Sequence, residues 1–505
     1  MSLIIGLDVG TTTTKAVVVD PESSWRLSAF REYRLSEPQP RWQVQDPAMV
    51  LRAVDEALAE AVAGCQGREV GVIGVGSAMH GLVGLDEDLR PLTDIITWAD
   101  TRGHAEARGL RQAGRARELL RLSGTPVHPM SPLVKLMWFA RHDRETAARV
   151  RHWVGLKDLV LLHLTGRLVT ELSTASASGL LDVHARDWAP SSLELAGISR
   201  EQLPDVLPTT ALLDLSPAAG ARIGLPAGTP VNVGATDGPL GNLGTGAIEP
   251  GVAGLSMGTS GAVRIAVPEP RFAESGALFC YALTDDTWVV GGAMSNGGVV
   301  MRWAGDVYAA DLPAGPERDP LVLALAAQAP VGSDGLVMLP YLLGERAPLW
   351  DPDLTGAYLG VRSAHGREHF LRAALEGVCR QMADIVDVLD GVAPVSQVRV
   401  TGGAFRSELW REVMAASLGR PVVPTDDAEG SALGSAVLAM LATGQADSLT
   451  AGLAALAPPG GVDDPIVVSD ADVATYTELR GRTSGLLNAY GELQEFLDTL
   501  SATRS

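Results

Sequence analysis

Short apolar segments alternate with amphipathic helical segments along most of this chain. Strand-like segments cover residues 3–7, 15–19 and 70–75. Apolar residues recur at helical spacing between residues 366 and 389. Strands that alternate with helices of this kind pack as a sheet covered by helices. The sequence therefore predicts the α/β fold class.

Helix termini can also be predicted from local signals. A helix is predicted over residues 47–63, where Asp46 stands at the N-cap, Pro47 at the first helical position and Gly64 beyond the last. Further helices are predicted over residues 102–122, 132–141, 406–418, 431–441 and 476–500.

The length and the charge of the chain limit the number of domains and the kinds of partner that we expect. The chain has 505 residues, more than one hydrophobic core usually supports, so we expect two or three domains. Its 40 Lys and Arg residues stand against 60 Asp and Glu residues, a formal net charge of −20. This balance argues against nucleic acid or an anionic membrane surface as a partner, since both attract basic patches. No apolar run approaches the ~20 residues that a membrane-spanning helix needs.

The cysteines and the N-terminal residues bear on location. Cys65, Cys280 and Cys379 are odd in number and far apart, which is typical of reduced, buried thiols and not of a disulfide framework. The chain enters a strand at residue 3 without the basic and apolar progression of a signal peptide. We therefore expect a cytoplasmic protein.

Two segments share a strand–turn–strand pattern with Gly and Thr in the turn, at residues 6–17 and 254–263. Turns of this type direct N–H groups into one concave spot, which suits phosphate, and Gly lets the backbone approach an anion closely. An ordinary β-hairpin is the alternative for either segment. Neither a G-x-x-x-x-G-K-[ST] run nor a G-x-G-x-x-G run after a strand occurs, so P-loop and Rossmann sites are not expected.

Asp237 follows an apolar strand-like segment, residues 229–233, and the small residues Gly234 and Ala235. A carboxylate placed where such a strand ends can accept a proton from a substrate hydroxyl. The alternative is a turn residue, because Asp before Gly is common in turns.

Several runs together resemble the FGGY family of carbohydrate kinases, and the resemblance covers nearly all of the chain. The two longest runs are Met130–Phe139 and Gly356–Val361, the second followed by His369-Phe370 and Ala373–Glu376. The remaining runs are residues 6–15, 79–81, 97–102, 234–238, 258–260 and 401–404.

The resemblance implies a fold and a division of labour. It implies two ribonuclease-H-like domains of the actin and sugar-kinase ATPase type, with an interdomain cleft between them. Residues 1–245 would bind mainly the sugar, and residues 246–505 mainly ATP. Closure about a hinge would exclude water, which competes with the sugar as acceptor.

The resemblance also implies a reaction in which ATP gives its γ-phosphoryl group to a sugar or sugar-acid hydroxyl. Asp237 would be the general base, and Asp8 would hold Mg²⁺ near the phosphates. The residues implied to contact ATP are Gly10, Thr11, Thr12, Lys15, Gly258, Thr259, Gly402, Gly403 and Ala404.

The implied sugar pocket consists of Met79, His80, Trp98, Asp100 and Arg102, together with Asp237. For Trp98 the alternative is core packing, and Arg102 with Asp100 could equally be a surface ion pair. His80 could be a lone core histidine. Lys135 and Trp138 belong to the family runs but are interpreted as structural.

Within the family, the chain is most similar to the gluconokinases. The runs that carry this similarity are residues 128–136, 278–284 and 344–350. D-Gluconate is therefore the expected substrate and D-xylulose the alternative. A non-catalytic sugar or ATP sensor of the same fold, or a filament or chaperone ATPase, stays open as a different class. A homodimer is the assembly left open.

Overall fold

The computed structural model describes residues 2–315, 317–425, 429–456, 464–483, 485, 486, 489 and 490. The chain forms two compact units. Unit 1 comprises Met1–Pro250, Ile265–Val290 and Asp427–Gly461. Unit 2 comprises Gly251–Arg264, Gly291–Asp426 and Val462–Ser505.

The described residues contain 22 strands, with these bounds: β1 Leu3–Val9, β2 Thr13–Val19, β3 Arg26–Glu32, β4 Val44–Gln45, β5 Val70–Ser77, β6 Val83–Leu85, β7 Ile95–Ile96, β8 His152–Val154, β9 Thr170–Glu171, β10 Leu181–Asp182, β11 Asp187–Trp188, β12 Val206–Leu207, β13 Leu212–Asp214, β14 Pro230–Asn232, β15 Val252–Met257, β16 Gly261–Val267, β17 Phe279–Ala282, β18 Trp288–Met294, β19 Val337–Leu339, β20 Ala357–Leu359, β21 Gln397–Thr401 and β22 Val422–Pro424.

The same residues contain 17 α-helices, with these bounds: α1 Pro47–Gly64, α2 His104–Gln112, α3 Ala116–Ser123, α4 Pro132–His142, α5 Arg144–Arg149, α6 Leu156–Thr165, α7 Leu172–Ser176, α8 Pro190–Ala196, α9 Pro217–Ile223, α10 Asp237–Gly244, α11 Gly298–Tyr308, α12 Arg318–Ala326, α13 Arg367–Asp390, α14 Glu408–Leu418, α15 Gly430–Ala442, α16 Leu449–Leu456 and α17 Asp470–Thr483.

Unit 1 is built on a six-stranded sheet in the order β13-β14-β5-β1-β2-β3. Strand β5 is parallel to both of its neighbours, β1 and β14, whereas β1 and β2 form an antiparallel hairpin. Helices α1, α6 and α9 pack on one face of this sheet, and α10 and α15 pack on the other. Burial on both faces explains why β1 and β5 are apolar along nearly their whole length.

Helix α15 lies very close to the sheet because glycines face it. A Cβ atom on Gly6 would stand 1.9 Å from the Ala432 carbonyl oxygen, and one on Gly74 would stand 2.3 Å from that of Ser435. Glycine in a strand often marks such an approach of another backbone. Helix α10 is held against α15 in the same way, since a Cβ on Gly434 would lie 2.2 Å from the Leu240 carbonyl oxygen.

In unit 2, β15, β21 and β22 are successive parallel strands of a second sheet. Helix α13 is the longest element of the described chain and packs against α11, α14 and β19. It matches the helix predicted over residues 366–389.

The α/β fold class predicted from the sequence is confirmed, and most helix predictions agree with the structure within a few residues. Asp46 caps α1 by accepting the Ala48 N–H at 2.8 Å. The single helix predicted over residues 102–122 is wrong, since α2 and α3 are separate helices. Gly114 lies between them with a φ of 72°, which a continuing helix cannot accommodate. Of the helix predicted over 476–500, residues 484, 487, 488 and 491–500 lie outside the described residues, and the described helix α17 begins six residues earlier, at Asp470.

Among the described residues, no helix is both long enough and apolar enough to span a membrane.

Candidate active site

The carboxyl ends of three parallel strands meet at one edge of the unit 1 sheet. Asp8 lies near the end of β1, Met79 and His80 follow β5, and Asp237 follows β14. A parallel bridge between Ser77 and Thr236 extends the β5–β14 pairing up to the residue before Asp237. Ligands of open α/β sheets collect at this edge.

Asp8 and Asp237 are close enough to interact electrostatically. The Asp8 side chain is partly exposed, but its Oδ1 atom is buried and accepts no hydrogen bond within the described part of the chain. Burial raises the pKa of the Asp8 carboxyl to about 7, and the charge of Asp237 acts in the same direction, while Lys15 opposes both. Lys15 is the cross-strand partner of Asp8 in the β1–β2 hairpin. A further cation beside Asp8 would therefore be favourable.

The β1–β2 turn is held through its carbonyl groups. Tyr33 Oη donates to the Gly10 carbonyl oxygen at 2.8 Å, and Gln45 Nε2 donates to that of Thr11 at 2.8 Å. Within the described residues, the N–H groups of Thr11 and Thr12 donate no hydrogen bond. The turn can therefore offer N–H donors to an anion.

Trp98 connects the predicted sugar pocket to this turn. Its Nε1 atom donates to Thr11 Oγ1 at 2.9 Å, and the ring is only partly buried. Trp98 therefore forms part of an accessible wall beside the turn, which differs from packing in the core.

Asp100 and Arg102 form a buried ion pair. Arg102 donates from Nε and Nη2 to the two Asp100 oxygens, at 2.9 and 2.8 Å, and the side chains are 4% and 0% exposed. The guanidinium carbon also lies 3.7 Å from the ring centroid of Trp42 and 5.2 Å from that of Trp138. The alternative of a surface ion pair is therefore wrong. A bidentate pair between aromatic rings fixes the Arg102 geometry.

His80 has an uncommon backbone conformation that two neighbours support. Its φ is 65°, in the left-handed region. Its Nδ1 atom lies 2.7 Å from the Ala177 carbonyl oxygen, and its ring contacts Tyr281 edge-on. The buried Lys135 ammonium donates to the His80 carbonyl oxygen at 2.5 Å and to that of Ile96 at 3.2 Å. Lys135 thus holds the His80 segment, in agreement with its interpretation as structural.

Burial lowers the pKa of Lys135 to about 7, while Asp100 favours and Arg102 disfavours the charged form. The ammonium form of Lys135 is therefore stabilised mainly by the two backbone carbonyls that it contacts and by the Asp100 carboxylate.

Asp237 is the first residue of α10, where the helix dipole favours a carboxylate. Its Oδ1 accepts the Gly238 N–H at 2.8 Å, and the side chain is partly exposed. Burial lowers the pKa of the Lys157 ammonium, and the charges of Glu171, Asp158 and Asp237 partly offset this effect. Asp237 thus has a cation within electrostatic range and a surface open to substrate.

The second Gly/Thr turn lies in unit 2 and is also held by its carbonyls. Gly298 N–H donates to the Gly258 carbonyl oxygen at 2.7 Å, and Thr259 accepts from Gly297 and Val299, both at 3.2 Å. Gly258 and Thr259 are exposed, and no described atom outside residues 257–259 lies within 4 Å of the position of a Cβ on Gly258.

The Gly402–Ala404 segment lies beside this turn in unit 2. Ser256 pairs with Thr401 across β15 and β21, so both segments follow the ends of adjacent parallel strands. Gly402 has a φ of 109°, and its Cβ would stand 2.3 Å from the Met257 carbonyl oxygen. Only glycine fits there. Gly403 is exposed and has open space at its Cβ position, so the backbone can receive a flat ligand.

The Asp8 carboxylate suits a hard cation that takes its remaining ligands from phosphate and water. No group of three or more His, Cys, Asp or Glu side chains that could hold a metal occurs among the described residues. Mg²⁺ in nucleotide enzymes is typically held by one or two carboxylates, phosphates and waters. Asp8, with its buried Oδ1, fits that pattern.

Three residues of the site region were not predicted from the sequence: Tyr33 and Gln45, which hold the first turn, and Glu345, which organises part of unit 2. Glu345 Oε1 accepts the Ser295 N–H at 2.7 Å, and Oε2 accepts from Asn296 Nδ2 at 2.9 Å. Glu345 lies within one of the runs similar to gluconokinases, which was the only available signal for it.

Comparison with protein families gives the class of this chain. The sequence model described as "FGGY family of carbohydrate kinases, N-terminal domain" matches residues 3–244, and that of the C-terminal domain matches residues 253–443. The chain therefore belongs to the FGGY family of carbohydrate kinases, as its motifs predict. Kinases of this family use ATP as the phosphoryl donor.

Individual relatives agree with the family. A gluconokinase of Bacillus subtilis is 37% identical over 460 residues, which are 89% of this chain and 89% of the relative. A xylulose kinase of Escherichia coli is 31% identical over 454 residues, covering 88% and 91%. A ligand-bound xylulose kinase and a gluconate kinase, both from Lactobacillus acidophilus, match with a TM-score of 0.91 at 30% identity, over 97% of this chain and 99% of theirs. The chain is a carbohydrate kinase with the two-domain α/β fold of sugar kinases.

Proposed function

We propose that this chain is a gluconokinase, which transfers the γ-phosphoryl group of ATP to a hydroxyl of D-gluconate and forms 6-phosphogluconate. The observation that carries the chemistry is the pair of carboxylates, Asp8 and Asp237, beside Lys15 at the carboxyl ends of parallel strands. The substrate is supported by the higher identity to a gluconokinase, 37%, than to a xylulose kinase, 31%.

In this proposal Asp237 is the general base. It accepts the proton of the attacking sugar hydroxyl, which needs a carboxylate within hydrogen-bond reach. Its position at the start of α10 and its partial exposure support this role. Phosphoryl transfer depends mainly on positioning and charge neutralisation, so the surroundings of the base matter as much as its basicity.

Asp8 is proposed to hold Mg²⁺. The buried Oδ1 and the raised pKa support this, because both are relieved by a neighbouring cation. Bound Mg²⁺ supplies neutralisation of phosphate charge. Asp8 contributes an oxygen ligand, and Lys15 adds a fixed positive charge.

The ATP contacts proposed from the sequence lie at the two Gly/Thr turns and the glycine segment after β21. Unused N–H groups at Thr11 and Thr12 and open backbone at Gly258 and Gly403 support them. The full set is Gly10, Thr11, Thr12, Lys15, Gly258, Thr259, Gly402, Gly403 and Ala404.

The sugar is proposed to contact Met79, His80, Trp98, Asp100 and Arg102. A gluconate carboxylate needs a cation or several N–H donors, and Arg102 is proposed for that contact. Two of its nitrogens serve Asp100, while Nη1 has no hydrogen-bond partner within the described residues.

Arg102→Met tests this contact. Hydrogen bonds to charged groups contribute about 1.5–3 kcal/mol, so kcat/KM for gluconate should fall ~10–10²-fold, and that for glycerol should fall less. Asp100→Asn/Arg102→Met is the matched variant, because it avoids leaving the Asp100 charge buried alone. Equal losses of kcat/KM for gluconate and for glycerol in the double variant would remove Arg102 from this contact.

D-Xylulose is the second candidate, supported by the equal TM-score of the xylulose kinase and the gluconate kinase from Lactobacillus acidophilus.

A non-catalytic sensor of the same fold would bind sugar or ATP without turnover. Homodimerisation and a cytoplasmic location stay predictions.

A coupled assay of ADP release with D-gluconate, D-xylulose, L-ribulose and glycerol tests the proposal. We expect turnover, with kcat/KM highest for D-gluconate. A higher value for D-xylulose would overturn the substrate, and binding without ADP release would overturn the catalytic proposal.

A further inference from the structure

The residue before Asp237 is held by a side chain from another helix. Ser173, fully buried in α7, accepts the Thr236 N–H at 3.1 Å, and its Oγ lies 2.9 Å from Thr236 Oγ1. Thr236 is itself buried and is the N-cap residue of α10. These two hydrogen bonds fix both the backbone and the side chain of the residue that leads into Asp237.

Helix α7 is anchored by a buried charge. The Glu171 carboxylate accepts from the N–H groups of Ser173 and Thr174 and from Thr174 Oγ1, the last at 2.6 Å. Lys157, fully buried, forms an ion pair with the same carboxylate. A buried pair whose oxygens also serve backbone donors gives one defined geometry. Ser173 is therefore a fixed point relative to Asp237.

Asp237 is held from a second helix as well. Ser431 of α15 donates from Oγ to the Asp237 carbonyl oxygen at 3.2 Å. Two hydroxyls on separate helices thus restrain the residue that precedes Asp237 and the peptide that follows it.

We propose that Ser173 is a positioning residue for Asp237, and that its hydrogen bonds to Thr236 hold the carboxylate where it can accept the proton of the sugar hydroxyl. This inference rests on the proposed role of Asp237 as base. A base acts only from a narrow range of positions, so a displaced carboxylate slows the chemical step. Ser173 is fully buried and is not among the residues proposed to contact the sugar, so its loss should act on kcat and leave substrate binding unchanged.

Ser173→Ala is the first variant, and Ser176→Ala is its matched control. Ser176 is equally buried in α7, but its hydroxyl donates to the Ser173 carbonyl oxygen and accepts the Ala282 N–H, and it does not contact Thr236. We expect kcat of Ser173→Ala to fall ~10–10²-fold while KM for sugar and for ATP stays within about twofold. The Ser176→Ala enzyme should retain its kcat. Equal losses in both variants would overturn the proposal.

The hydrogen bond between Ser173 Oγ and Thr236 Oγ1 can also be removed by substituting Thr236. Thr236→Val keeps the volume and removes the hydroxyl, whereas Thr236→Ser keeps the hydroxyl. We expect Thr236→Val to lower kcat and Thr236→Ser to retain most of it. This pair keeps the test decisive if Ser173→Ala folds poorly, and equal kcat in the two Thr236 variants would contradict the inference.

A double variant separates this inference from the proposed function. If Ser173 acts through Asp237, Ser173→Ala should lower kcat in the wild type but add nothing to Asp237→Asn. A further loss of the same size in the Asp237→Asn enzyme would overturn the positioning role alone. Near-normal turnover of Asp237→Asn by itself would instead remove the base, whatever Ser173 does.

Discussion

Asp8 and Asp237 are neighbouring carboxylates for which we propose different roles. Burial raises the pKa of Asp8, and the charge of Asp237 adds to this effect. Asp237 lies at a helix N-terminus and within electrostatic range of Lys157. Lys15 offsets the burial of Asp8 only in part, so a bound cation would favour the carboxylate form of Asp8. The helix N-terminus favours the carboxylate form of Asp237, which is the form that can accept a proton. In the proposed function, the environment of each residue, more than its type, divides the roles.

Replacing Asp237 by Asn tests the base directly. The amide keeps the size and most hydrogen bonds but cannot accept the proton. We expect kcat to fall by ~10²–10⁴, the usual contribution of general-base catalysis, with KM for sugar nearly unchanged. Steady-state kinetics on the purified variant checks this. Turnover close to that of the wild type would exclude Asp237 as base.

The raised pKa of Asp8 predicts a pH-dependent stability. The folded-state pKa of about 7 lies above the ordinary 3.8, so the folded protein binds a proton that the unfolded chain has lost between these values. The free energy of unfolding should therefore decrease as the pH rises from about 4 to about 7. Asp8→Asn removes this contribution, so its stability relative to the wild type should increase over that range in metal-free buffer.

Thermal unfolding of both proteins across this pH range, with and without Mg²⁺, measures the effect. Asp20→Asn is the control, because Arg68 lowers the pKa of Asp20 to about 2 and its carboxyl stays ionised over the same range. Its stability difference from the wild type should be nearly constant above about pH 5, where the Asp20 carboxyl is ionised in both the folded and the unfolded states. A constant difference for Asp8→Asn would contradict the prediction. Mg²⁺ should stabilise the wild type more at the upper end of the range than at the lower end, since protons compete with the metal.

At the level of elements, local sequence patterns predicted where turns and helices form better than they predicted which residues contact those elements. Gly and Thr spacing predicted both strand–turn–strand segments, and Asp46 and Pro47 predicted the start of α1. Tyr33 and Gln45, which hold the first turn, could not be predicted, because they are joined to it by tertiary hydrogen bonds over more than 20 residues. The break between α2 and α3 was missed because a single glycine is compatible with either a helix or its end.

The glycine segment after β21 gives a matched pair of substitutions. Gly402→Ala places a Cβ at 2.3 Å from the Met257 carbonyl oxygen at a φ of 109°, so the segment must shift. Gly403→Ala meets open space. We expect Gly402→Ala to lose about 1 kcal/mol or more of stability and to raise KM for ATP.

Gly403→Ala should keep the stability of the wild type and raise KM for ATP only through contact with the nucleotide. Thermal unfolding and ATP-dependent kinetics on both variants check this pair. Normal stability of Gly402→Ala, or unchanged KM for ATP in both variants, would count against the role of this segment.

At the level of the whole molecule, the alternation of strands and helices was sufficient to predict the α/β class, and the motifs were sufficient to predict the family. The composition of the compact units was not predictable in the same way. Helix α15 belongs to unit 1 although it lies near the end of the described chain. Its contacts with β1 and β5 depend on Gly6 and Gly74, whose small size permits the approach without specifying which helix makes it.

Substrate identity is a property of the whole enzyme and can be measured without turnover. Asp237→Asn should still bind sugar, since the substitution removes only the proton acceptor. A ligand at 100 times its Kd stabilises the folded state by ~2.7 kcal/mol. We therefore expect D-gluconate, in the presence of ATP and Mg²⁺, to raise the Tm of this variant by several degrees. D-Xylulose at the same concentration should raise it less. A larger shift with D-xylulose would transfer the proposed substrate from the sugar acid to the ketose, while the fold, the family and the ATP contacts would stand.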